Sequence, residues 1–104
     1  MKNEIQLQED VLKVLSSNLS PIVQEQLLEH DNLYSFNLRK EFKAIASTIV
    51  LVHGLYTSVA DFKTFFVDKV VPMIEQLGVI LDDNQVEELS HSTYIALYAT
   101  KHDE

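Results

Sequence analysis

The chain has no cysteine among its 104 residues. Disulfides, thiolate metal sites and cysteine nucleophiles are therefore excluded, and a reducing, cytoplasmic setting fits. Glycine and proline are scarce, two of each. All-β folds need both residues for their many turns, so this scarcity favours long helices with few connections. Bases are few as well: eight Lys and Arg stand against sixteen Asp and Glu, a net charge of −8. A surface of that sign repels phosphate backbones, so no nucleic-acid partner is expected. Long apolar runs are missing too. The longest charge-free stretch, AIASTIVLVHGLYTSVA, spans seventeen residues from Ala44 to Ala60. A membrane-spanning helix needs about 20 apolar residues, and this run holds Ser47, Thr48, His53, Gly54 and Thr57. It reads as the buried spine of a small helical domain, not as a membrane span. The N-terminal MKNEIQLQEDVLK carries acids where a secretion signal needs its apolar core, so no such signal is expected.

What is present is helical periodicity. A length of 104 residues suits one domain over 1–104, able to bury a core without staples. Asn3 and Gln6 have capping-box spacing, and Leu7, Val11, Val14 and Leu15 then repeat at helical intervals over residues 4–16. Ser17, Asn18 and Ser20 predict an interruption. Ser20-Pro21 predicts a restart, with Ser as N-cap and Pro at the first helical position, and a short helix to Glu29 burying Val23, Leu27 and Leu28. His30-Asp31-Asn32 reads as a break.

A third helix begins near 32–35. Leu38, Phe42, Ile45, Ile49, Val52 and Tyr56 are spaced as an a/d seam, broadened by Ala46, Val50 and His53. Gly54 marks its end or a weak point. Ser58 with Asp61 predicts another cap and a helix from Val59, lined by Phe62, Phe66, Val70, Met73 and Leu77 with Phe65 and Ile74 beside them. Pro72 inside that pattern predicts a kink over 68–71. Gly78 suits the left-handed position after a helix end, with Val79 reaching back toward Ile74. Asp82 with Gln85 predicts the last cap and a helix over 83–100. Val86, Leu89, Thr93, Ala96 and Leu97 point inward there, Tyr94 and Tyr98 flank them, and 101–104 are expected to fray.

Catalytic signatures are missing. There is no G-x-S-x-G, and two separated glycines cannot build a Walker loop or a G-x-G-x-x-G turn. Asp82-Asp83-Asn84 does not open an EF-hand, because Glu87 stands where that loop needs glycine and Thr93 where it needs a bidentate acid. Glu88 and His91 form one Glu-x-x-His pair, whereas carboxylate-bridged di-metal bundles use two such pairs and two further acids. Arg39, Lys40 and Lys43 make a small basic spot that reads as a solvated helix surface. His53 and Tyr56 are the candidate ligand-binding pair, on the apolar side of the third helix. The remaining signal is charge asymmetry. Residues 75–104 hold seven acids and one base, whereas 1–74 hold nine acids and seven bases. Asp82, Asp83, Glu87, Glu88 and His91 on the outer face of the last helix are the candidate interaction surface.

From Leu55 onward the text reads LYTSVADFKTFFVDKVVPMIEQLGVILDDNQVEELSHSTYIALYA. It resembles the helical C-terminal region of one superfamily of bacteriophage holins. The shared features are an aromatic after a charge-poor helix, a Lys-bearing helix ending in Leu-Gly-Val, an acidic cap, and a final helix with Leu89, Ala96 and Leu97 in register. The resemblance implies a phage or bacterial origin. Members of that superfamily share an N-terminal membrane span, whereas residues 4–15 here carry Glu4, Glu9, Asp10 and Lys13, so holin activity is not carried over. Length and expected architecture are also similar to small bacteriocin immunity proteins, which are basic as a rule where this chain is acidic.

These observations predict an all-α fold, a compact antiparallel bundle of four to five helices. The function expected is that of a small, non-enzymatic, acidic cytoplasmic module binding a basic protein partner, with no cofactor and no metal. A helical ligand- or metal-binding protein and a bacteriocin-immunity-like bundle are the alternatives. The apolar seam is also compatible with a homodimer.

Overall fold

The computed structural model describes residues 4–30, 35–53 and 58–102. Leu7, Val11, Leu15, Leu19 and Val23 recur at every fourth position, and all five are buried. That ladder belongs to one helix, α1, running without a break over Glu4–His30 with Pro21 inside it. The expected interruption at 17–20 and the restart at Pro21 are thus corrected. Asn18 does not break the helix because its amide donates to the Val14 carbonyl at 2.9 Å, one turn back. Pro21 withholds a donor from the Ser17 carbonyl, but Ser17, Ser20 and Pro21 are all exposed, where water replaces the missing partner. Continued burial at Leu19 and Val23 outweighs the local helix-stop signal. Val14 is half-buried.

The second helix, α2, covers Ser35–His53. Phe42, Ile45, Ala46, Ile49 and Val50 are buried, as the seam predicts. Val52 departs from it at 46% exposure, and Leu51 is 80% exposed. The charge-free stretch is therefore only partly a spine. Ala44, Val59 and Ala60 are exposed as well, so among the described residues of the stretch burial is confined to one face of α2. Two of its hydroxyls are satisfied locally: Ser47 donates to the Lys43 carbonyl at 2.9 Å and Thr48 to the Ala44 carbonyl at 3.0 Å. Asn3 and Tyr56 lie outside the described residues, as do the side chains of Leu27, Leu28, Leu38 and His53. No helix among the described residues is long and apolar enough to cross a membrane.

The third helix, α3, is composite. Val59–Phe65 is α-helical, Phe66–Val70 forms a π turn, and Val71–Glu75 resumes the α form. Ser58 caps it as expected, its Oγ accepting from the Asp61 N–H at 3.2 Å. The departure around Pro72 is this π turn. The Val71 N–H donates to the Phe66 carbonyl five residues back, so the hydrogen-bond register changes just before the proline. Pro72 then sits in the first turn of the resumed helix, where its missing N–H costs little. Phe62, Phe66, Val70 and Ile74 are buried, with Phe65, Met73 and Leu77 packed beside them. The helix tightens at its end: Leu77 donates to the Ile74 carbonyl at 3.0 Å and Gly78 to the Glu75 carbonyl at 2.9 Å. Gly78 has φ +88°, which glycine adopts without a Cβ clash. Val79 is buried directly after it.

The fourth helix, α4, covers Asp83–His102, two residues longer than the expected 83–100. Its cap is reciprocal. Gln85 N–H donates to Asp82 Oδ1 at 2.8 Å, and Asp82 N–H donates to Gln85 Oε1 at 2.9 Å. Leu89, Thr93 and Leu97 are buried, as expected, and Ser90 joins them. Both buried hydroxyls are paired: Thr93 donates to the Leu89 carbonyl at 2.7 Å and Ser90 to the Glu87 carbonyl at 3.1 Å.

The result is an all-α compact globule of four helices, with no strand among the described residues. α1 packs against both α2 and α4, and α3 packs against α4. The long axis of 44 Å is close to the roughly 40 Å expected of a 27-residue helix, so α1 sets the length of the molecule. One hydrophobic core joins all four helices. Between α3 and α4 it is aromatic: the Phe62 ring lies 6.0 Å from Phe66 and 5.7 Å edge-on from Tyr94, which stacks 4.4 Å from Tyr98.

Candidate functional site

The exposed side of α4 begins at its cap. Asp82 and Asp83 are both exposed, and the helix N-terminus beside them favours negative charge. Asp82 is already committed to the cap through Gln85. Glu87 follows Asp83 by one turn, and His91 follows Glu87 by one more, so the three share a stripe. All of them are exposed, as is Glu88 on the adjoining stripe. The five residues singled out from the sequence thus share the exposed part of one helix and its cap.

Two of the five are also used within the molecule. Besides the Asp82 cap, Glu87 pairs with Lys63 of α3. Both partners are about half or more exposed, so water screens this pair, and such surface bridges contribute up to about 1 kcal/mol. The Lys63 charge also offsets part of the local negative potential. Asp83, Glu88 and His91 make up the rest of the face.

Glu88 has a second setting. With Gln85 and Leu89 of α4, and Asn18 and Ile22 of α1, it lines a cleft of about 180 Å³. The later half of α1 therefore lies beside the first turns of α4. Leu89 is a buried residue at this cleft, Ile22 is half-buried, and Glu88 is exposed. Sequence reading placed Asn18 as an interruption, Gln85 as a cap and Leu89 as core. None carried a signal for a shared cleft, because the cleft exists only where the first and last helices meet. Lys63 as the partner of Glu87 was hidden for the same reason.

Among the described residues no group of three or more His, Asp or Glu gathers as a metal ion would require. The Glu88–His91 pair thus has no third acid or histidine grouped with it there. Of the candidate ligand pair, His53 is placed only as the last residue of α2, and Tyr56 lies outside the described residues. Comparison with protein-family models, with curated proteins and with solved structures finds no match for this chain.

Proposed function

We propose that this protein is a small non-enzymatic module that binds a basic protein through the exposed face of α4, at Asp82, Asp83, Glu87, Glu88 and His91. The observation that carries the reading is the common exposure of these residues along one helix, on a chain of net charge −8. Complementary charge of this kind raises the association rate and sets register more than it raises affinity. The reading includes a cytoplasmic setting, with which a cysteine-free composition agrees. A phage or bacterial origin belongs to the same proposal and rests on the resemblance of residues 55–99 alone.

The test compares the wild-type chain with Glu87→Lys/Glu88→Lys as baits in extracts of the native host. Any retained protein is then purified and its binding remeasured at rising salt. Support is a basic protein held by the wild type, lost from the double variant and weakened by salt. A partner that binds both baits equally overturns the assignment to this face.

A further inference from the structure

We infer that the cleft between α1 and α4 receives one lysine side chain of the basic partner. The inference rests on the reading of α4 as the binding face and adds the point at which the partner is gripped.

Size comes first. Pockets for drug-sized ligands run to about 300–1,000 Å³, and this cleft of about 180 Å³ admits a single side chain. Its lining divides by chemistry. Leu89 and Ile22 supply apolar wall. Glu88 brings the one charge to the lining, and the Asn18 and Gln85 amides bring both acceptors and donors. The Glu88 carboxylate only accepts. The Asn18 amide nitrogen donates one hydrogen to the Val14 carbonyl at 2.9 Å, and its oxygen can still accept. The Gln85 oxygen accepts from the Asp82 N–H at 2.9 Å and keeps a second lone pair. An apolar wall with a carboxylate at its exposed side suits a cation on an aliphatic stem. Lysine has that form: four methylenes to lie along Ile22 and Leu89, then three donors on a compact ammonium. Arginine is a poorer match, because its planar fork gains most from a carboxylate met along two parallel hydrogen bonds. Here Glu88 is the lone carboxylate among the cleft-lining residues, at their exposed side. The other acids, Asp83 and Glu87, stand on the neighbouring stripe of α4, where they attract the partner without entering the cleft.

The test titrates the full-length ¹⁵N-labelled protein with a short peptide holding one lysine between serines and glycines. Parallel titrations use the same peptide with norleucine or arginine at that position, and an oligolysine peptide. The result expected is a set of amide shifts centred on Asn18, Ile22, Gln85, Glu88 and Leu89 with the lysine peptide. They are absent with norleucine and weaker with arginine. Glu88→Gln, which keeps shape and removes charge, is expected to weaken lysine binding about tenfold while leaving the circular dichroism spectrum unchanged. Oligolysine shifts confined to Asp82, Asp83, Glu87 and His91 overturn the cleft inference and leave the α4 face standing. Equal shifts with norleucine or arginine also overturn it. No shift on α4 with any peptide overturns both readings.

Discussion

α1 and α3 share two features, an apolar side chain at every fourth position and one internal proline, and they accommodate them in opposite ways. In α1 the ladder Leu7, Val11, Leu15, Leu19, Val23 stays α-helical throughout. Four residues overshoot one turn of 3.6, so the buried stripe winds slowly around the helix. That winding suits α1, which packs against two neighbours, α2 and α4. In α3 the ladder Phe62, Phe66, Val70, Ile74 crosses a π turn over Phe66–Val70. A π turn holds more residues than an α turn, so a four-residue step there no longer overshoots, and the ladder stays on one side. That suits α3, whose aromatic face meets α4. The two prolines follow the same division. Pro21 sits on an exposed flank and removes a hydrogen bond, whereas Pro72 enters as the α register restarts. A four-residue spacing therefore has two structural solutions in this one molecule.

The largest test of this contrast is Phe66→Ala. Phe66 is fully buried within the π turn, and its truncation is expected to cost about 3–5 kcal/mol in urea unfolding. Val67, next to it and 43% exposed, is expected to tolerate alanine within about 0.5 kcal/mol. A similar loss at both positions would mean that the π turn does not set which residues face inward.

Next comes Pro21→Ala. It restores a donor to the Ser17 carbonyl within a continuous helix, so a stabilisation of about 1–3 kcal/mol is expected. An unchanged or lower midpoint would show that α1 is bent or frayed around Pro21 in solution.

Glu87→Lys with Glu88→Lys is expected to alter stability by about 1 kcal/mol or less, read from the thermal midpoint, because the Lys63–Glu87 pair is solvent-screened. A collapse of the fold would mean that the rim charges, not the aromatic core, hold α3 to α4. The smallest effect is expected at Pro72→Ala, within about 0.5 kcal/mol by the same measurement. Pro72 already occupies a first-turn position, so a new N–H gains little there. Equal stabilisation by the two proline replacements would remove the distinction between the helices.

The features legible in the sequence are those made by residues close together in it. Ser58 with Asp61, and Asp82 with Gln85, form the expected caps, and Gly78 takes the left-handed conformation. The inward residues of α3 and α4 follow from periodicity for the same reason. Ser90 was missed although it stands one turn after Val86 and seven residues before Leu97, because its hydroxyl hid its place in the pattern. Ser20-Pro21 misled because a proline at a helix start and one within a helix share the same neighbours in sequence. The candidate face on α4 was legible as a run of polar positions, whereas its cleft and its Lys63 contact were not.

By itself, then, the sequence determined the helical class, the caps at Ser58 and Asp82, the end of α3 at Gly78 and the apolar sides of α3 and α4. All of these depend on hydrogen bonds and side-chain spacings within a few residues. Only the tertiary structure decided that α1 runs unbroken past Pro21, that α3 changes register before Pro72, that Leu51 and Val52 face outward, and that Glu88 meets Asn18 and Ile22 across a cleft. Each of those outcomes depends on which helix lies alongside, because burial against a neighbour outweighs the smaller preferences of a local turn.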